Sequence, residues 1–123
     1  MSDKTTILYV DDEVLNLQLF QINFSKRYHV ILAQSGYEGL HKLKTNSNIL
    51  ITISDMKMPG MTGIEFVKKA REEFPNIAFF ILTGFDITEE ISKALSDKLI
   101  IRYFRKPFNK KEIESSIEEA LLV

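Results

Sequence analysis

The sequence predicts an α/β fold, a doubly wound three-layer sandwich in which a five-stranded parallel sheet lies between two helical layers. Three observations carry this expectation. Five short runs rich in Ile, Val, Phe and Tyr recur along the chain, and several are apolar throughout, as strands covered on both faces require. Segments of helical length separate the runs, and four helix starts have capping-box spacing. Four of the runs lead into polar residues of chemical consequence: Asp11-Asp12, Asp55, Thr83 and Lys106. Strands that alternate with helices lie parallel, which puts those ends on one edge of one sheet.

The first strand is read over Ile7 to Val10, followed by a helix whose face is marked by Leu15, Leu19 and Ile22. Val30 to Ala33 is the second strand, and Ser35 with Glu38 starts the second helix. After the turn Asn46-Ser47-Asn48, Ile49 to Ile53 forms the third strand and runs through Ser54 into Asp55. Met58-Pro59-Gly60 makes the next turn, with Pro and Gly where a tight turn needs them. Thr62 with Glu65 caps the third helix, stapled by Met61 and Phe66, and its stripe is Ile64, Val67 and Ala70, closed by Arg71. Ile77 to Leu82 is the fourth strand, and Asp86 with Glu89 starts the fourth helix. Leu99 to Phe104 is the fifth strand. Asn109 with Glu112 and the staple Phe108 with Ile113 open the last helix, whose stripe is Ile113, Ile117, Ala120 and Leu121. Right-handed crossovers give a three-layer sandwich with the parallel sheet between two helical layers. The expected sheet is (βα)5 and flavodoxin-like, and its order 2-1-3-4-5 places the switch point between strands 1 and 3 beside Asp11, Asp12 and Asp55.

Composition narrows the function. A chain of 123 residues with 45% hydrophobic and 27% charged residues is sized for one globular domain, read here over 1–123 with no linker or repeat. Net charge is −1, so no global field favours nucleic acid or an anionic membrane. There is no cysteine, which removes disulfides, thiolate zinc and cysteine nucleophiles. His29 and His41 stand alone, without a second ligand at metal spacing. The first residues hold no apolar stretch of signal-peptide length and no run approaches a membrane span, so a cytoplasmic setting is expected. The basic residues Arg102, Arg105, Lys106, Lys110 and Lys111 are followed at once by Glu112, Glu114, Glu118 and Glu119, a solvated face. Within the last helix these lysines and glutamates sit at the ends that oppose the macrodipole.

The chemistry lies at the sheet edge. Three carboxylates share one crevice only if a cation compensates them. With no thiolate and no paired histidine, a hard oxygen-seeking ion is implied, Mg2+ or Mn2+. Lys106 can pair with a carboxylate at rest and with a phosphoryl oxygen after reaction, and Thr83 can donate its hydroxyl to another. One aspartate is then the acceptor, since carboxylates are competent nucleophiles toward phosphorus.

At this point the residues resemble a known family. Asp11-Asp12, Asp55 through Gly63, Thr83-Gly84 and Tyr103 through Pro107 look like the receiver domain of two-component response regulators, over the whole chain. The resemblance implies that Asp55 is the phosphoacceptor, that Asp12 binds the metal directly and Asp11 through water, and that Asp55 and the Lys57 backbone carbonyl complete the protein ligands. It implies that Thr83 and Lys106 hold the phosphoryl group, that the Lys106-Pro107 bond is cis, and that Tyr103 is an aromatic switch coupled to Thr83. Lys57 and Phe85 fall at the positions that tune phosphoryl lifetime, and the aromatic ring at Phe85 suggests slow self-dephosphorylation. The small Gly-Ala stretch usual before the fifth strand is replaced by Ser96-Asp97-Lys98-Leu99, which puts the length of the fourth helix in question.

The implied function is a phosphorylation-driven switch that is no enzyme beyond its own phosphorylation and dephosphorylation. A phosphohistidine on a sensor kinase or phosphotransfer domain donates, and the face built by helix 4, strand 5 and helix 5 then dimerises or engages an effector. Two rivals stand beside it. An inert receiver could serve only as an interaction module, against which the intact Asp12, Asp55, Thr83 and Lys106 argue. A haloacid-dehalogenase-like phosphatase needs a second aspartate two residues beyond its nucleophile; after Asp55 that position is Lys57, and after Asp11 it is Glu13.

Overall fold

The computed structural model describes residues 4–84 and 87–122. Strands and helices alternate throughout: β1 (Thr6–Val10), α1 (Val14–Phe24), β2 (His29–Ala33), α2 (Gly36–Thr45), β3 (Ile49–Asp55), α3 (Gly63–Glu73), β4 (Ala78–Thr83), α4 (Glu89–Ser96), β5 (Arg102–Arg105) and α5 (Lys110–Leu121). All pairings are parallel and the order is β2-β1-β3-β4-β5, as the sequence predicts. No helix among the described residues is long and apolar enough to cross a membrane.

Alternation along the buried strands sorts side chains into two cores. Ile7, Tyr9, Ile51, Ile53, Phe80, Leu82 and Phe104 face α1 and α5, where Leu17, Phe20, Phe24, Ile113 and Ile117 meet them. Leu8, Val10, Phe79 and Ile81 face the other layer and pack on Leu43 of α2, Ile64, Phe66, Val67 and Ala70 of α3, and Ile91 and Ala94 of α4. Every residue of β1 is buried, which fixes the strand that delivers Asp11 and Asp12.

The α1 face departs from the sequence reading. Leu15, Leu19 and Ile22 are exposed by 65%, 44% and 74%, and the buried stripe is Leu17, Phe20 and Phe24. Both faces of this helix are apolar, and the aromatic stripe wins the core because Phe20 and Phe24 stack on each other and Phe20 stacks on Tyr9.

Helix starts follow the predicted grammar unevenly. Thr62 and Glu65 form a full capping box, and Met61 and Phe66 are both buried beside it. Ser35 accepts from the Glu38 N–H, but the Glu38 carboxylate reaches one residue further back, to the Gln34 N–H. Asn109 accepts from the Glu112 N–H, while the Glu112 carboxylate turns to Arg102. For α4 the cap is Thr88, which accepts from the Ile91 N–H, in place of the predicted Asp86, which lies outside the described residues. Glu118 opposes the α5 macrodipole but accepts from the Tyr28 hydroxyl at 2.8 Å and faces Arg27, so the fold itself uses it.

The α4 exit replaces the first half of the predicted fifth strand. Lys98 takes a left-handed φ of 60°, the Leu99 N–H bonds to the Ala94 carbonyl and the Lys98 N–H to the Leu95 carbonyl. This is a Schellman motif with lysine where glycine usually sits. Helix 4 therefore stops at Ser96, and β5 begins at Arg102, not Leu99.

Candidate functional site

The carboxyl ends of β1, β3 and β4 and the loop after β5 meet at the switch point. Asp11 leaves β1 directly, held by its N–H to the Ala33 carbonyl at 3.0 Å. Asp55 is the last residue of β3, and Thr83 the last of β4. Thr83 is buried and its carbonyl accepts from the Lys106 N–H at 2.8 Å, which seats the lysine over the edge. The Lys106-Pro107 peptide is cis, as expected.

Asp11, Asp12 and Asp55 each offer a carboxylate oxygen within 4.8 Å of the others. Asp11 is fully buried and Asp55 is 5% exposed, while Asp12 opens to solvent. Lys106 Nζ lies 3.0 Å from Asp55 Oδ1 and 3.7 Å from Asp11 Oδ2. Three carboxylates thus cluster at this edge, and two of them, Asp11 and Asp55, face the Lys106 ammonium. Burial pushes the Asp55 carboxyl up from 3.8 to about 6; the Lys106 hydrogen bond opposes the rise and the Asp11 charge adds to it. Burial alone would lower the Lys106 pKa, but the bond to Asp55 and the charges of Asp55 and Asp11 overcome it and raise it. The all-oxygen donor set and its surplus of negative charge fit a hard divalent cation, and the solvent-open Asp12 leaves room for water and phosphate oxygens.

The loop after Asp55 is shaped by glycine. The Gly63 N–H bonds to the Met56 carbonyl at 2.8 Å, and a Cβ at Gly63 would run into the Asp55 carbonyl oxygen. Gly60 takes a φ of 79° in the turn before it, a conformation that costs glycine nothing. Lys57 lies exposed in this loop, two residues past Asp55 as its sequence position requires. Tyr103 is half-buried on β5 and packs against the core on the α3–α4 side of the sheet, in register with Ile81 of β4. It lines an open groove of about 590 Å³ with Leu95, Arg102, Arg105, Pro107 and Glu112. Phe85 lies outside the described residues.

A family model for the response regulator receiver domain matches residues 7–118. The chain belongs to the response regulator receiver family. This receiver domain is 35% identical over 117 residues to the alkaline phosphatase synthesis transcriptional regulatory protein PhoP of Bacillus subtilis, covering 94% of the chain and 48% of PhoP. It is 29% identical over 122 residues to the hydrogenase transcriptional regulatory protein HoxA of Cupriavidus necator, covering 98% of the chain and 25% of HoxA. A solved signal receiver domain of an HD domain-containing protein from Pseudomonas fluorescens superposes with a TM-score of 0.87 at 27% identity, over 96% of this chain and 94% of that one. The chain spans about a quarter of the length of several curated relatives it matches.

The structure thus brings together Asp11, Asp12, Asp55 and Lys106, with Thr83 at the same edge. It also adds a residue that the sequence reading missed. Tyr9, buried in β1, donates its hydroxyl to Asp11 Oδ2 at 2.7 Å, while the Glu13 N–H donates to Asp11 Oδ1 at 3.0 Å. The signal was present in strand alternation: residues 9 and 11 leave the same side of the chain.

Proposed function

We propose that Asp55 accepts a phosphoryl group from a phosphohistidine on a sensor kinase or phosphotransfer domain, in a reaction that requires Mg2+. The observation that carries this is the convergence of Lys106 Nζ on Asp55 Oδ1 at 3.0 Å, beside three carboxylates within 4.8 Å of one another. An Asp55 carboxylate oxygen attacks phosphorus, the donor's N–P bond breaks, and the imidazole departs with its electron pair. Lys106 then moves from pairing a carboxylate to pairing a phosphoryl oxygen, and the Thr83 hydroxyl donates to another. Asp11, Asp12, Asp55 and the Lys57 backbone carbonyl would hold the ion, which supplies charge neutralisation on the equatorial oxygens. The chain turns over no external substrate on this reading; it acts only on its own carboxylate.

The donor has a surface to dock on. Val14, Leu15, Leu19 and Ile22 expose an apolar stripe on α1, and a groove of about 560 Å³ lined by Leu19, Asn23, Lys106, Pro107 and Phe108 runs from it to the lysine. Isolated exposed leucines need no explanation, but a contiguous stripe beside a reactive centre suits a partner helix. The α4–β5–α5 face, with Tyr103 in its groove, is the surface read by a homodimer partner or effector, and a cytoplasmic setting fits phosphohistidine signalling and a cysteine-free chain.

Amide NMR of the wild type and Asp55→Asn, each treated with a small phosphoramidate donor and Mg2+, tests this reading. Shifts on α4, β5 and α5 in the wild type alone support it. Equal shifts in both, or none in the wild type, refute the switch.

A further inference from the structure

We propose that Tyr9 is a positioning residue for Asp11, fixing the orientation of this buried carboxylate toward the metal site. The proposal rests on the metal reading above and goes beyond it, because Tyr9 would touch neither the ion nor the phosphoryl group. Tyr9 is 1% exposed and Asp11 fully buried, and the phenol donates to Oδ2 at 2.7 Å. The Glu13 N–H holds Oδ1 at 3.0 Å. With one donor on each oxygen, the carboxylate plane cannot rotate without breaking a buried hydrogen bond, and lone pairs remain on both oxygens for a metal-bound water.

The phenol is itself anchored. Its ring stacks on Phe20 with centroids 4.0 Å apart and planes 7° from parallel, and Phe20 stacks on Phe24 at 4.4 Å. The position of the hydroxyl is therefore set by the aromatic stripe of α1. The α1 core, the phenol, Asp11, Lys106 and Asp55 form one contiguous chain of contacts, the last two links being 3.7 and 3.0 Å. A tyrosine serving only as core packing would fill the same volume as phenylalanine and would place no demand on the metal site.

Tyr9→Phe separates the two roles, since it keeps the ring stack and removes the hydroxyl. Mg2+ binding to wild type and variant is measured by NMR titration without any phosphodonor, alongside thermal unfolding. The positioning role predicts that the dissociation constant weakens about tenfold, the low end of what loss of a ligand's hydrogen-bond partner costs a metal site. A dissociation constant within about twofold of wild type overturns the proposal alone, while a wild type that binds no Mg2+ overturns the metal reading and the proposal with it. Should Tyr9→Phe fail to fold, the wild type decides: the Tyr9 Cζ and Asp11 Cγ resonances must shift along the same Mg2+ titration curve. A Tyr9 Cζ resonance that stays fixed to saturation overturns the proposal.

Discussion

Replacing Asp55 by Asn should stabilise the metal-free fold at neutral pH, and progressively less as the pH falls. The Asp55 carboxyl is 5% exposed and is raised from 3.8 to about 6, burial outweighing the Lys106 hydrogen bond. Between those two values the folded state keeps a proton that the unfolded state has released. The contribution of this group is therefore fully present below 3.8 and is lost as pH rises through about 6, opposite to a carboxylate whose pKa is depressed. At about 1.4 kcal/mol per tenfold difference in proton affinity, the loss reaches about 3 kcal/mol by neutral pH. The assay is urea unfolding of wild type and Asp55→Asn in chelator across about pH 4 to 8, reading the difference between the two so that unrelated carboxylates cancel. The variant should gain about 2.5 kcal/mol over wild type between the ends of that range, because at about pH 4 the unfolded carboxyl is already partly ionised. Saturating Mg2+ should stabilise the wild type more than the variant, because the ion binds the folded state. A difference that stays flat with pH would refute the reasoning, since it would mean that Asp55 is not desolvated in the folded crevice.

The remaining predictions concern packing. Lys98→Gly should stabilise the fold by about 1 kcal/mol in urea unfolding, because only the left-handed conformation of residue 98 is relieved. Thr52→Val should also stabilise, by about 1 kcal/mol, since the Thr52 hydroxyl is buried without a hydrogen-bond partner among the described residues. On α1, Leu15→Ser with Ile22→Ser should change stability by less than about 0.5 kcal/mol, whereas Phe20→Ala should cost about 3–5 kcal/mol. The reverse ranking would restore the face that the sequence reading chose.

Much of the site was legible because parallel topology is a strong constraint. Once strands alternate with helices, residues that follow strands at Asp11, Asp55, Thr83 and Lys106 must share an edge, whatever the side-chain details. That rule does not select the strand order; 2-1-3-4-5 was the expectation, and the sheet bears it out. The orientation of α1 was not legible, because seven of its eleven residues are apolar and they cover both faces, so periodicity alone could not select the aromatic stripe. The fifth strand was misplaced because Leu99 and Ile100 are apolar for a different reason: both N–H groups turn back to the Ala94 carbonyl, and the side chains pack under the α4 exit. Alternation puts residues 9 and 11 on the same side of the chain, but the Tyr9–Asp11 bond also depends on where the ring sits over Phe20, a tertiary fact. The raised Asp55 pKa is likewise a consequence of burial, invisible until the crevice exists.

The measurement that bears hardest on this reading of the site is intact mass after incubation with a small acyl phosphate or phosphoramidate, with Mg2+ and with chelator, for wild type and Asp55→Asn. One added phosphoryl group is expected on the wild type with Mg2+, and none with chelator or on the variant. Addition that persists in Asp55→Asn, or is indifferent to chelator, would contradict the assignment of Asp55 as a metal-dependent phosphoacceptor.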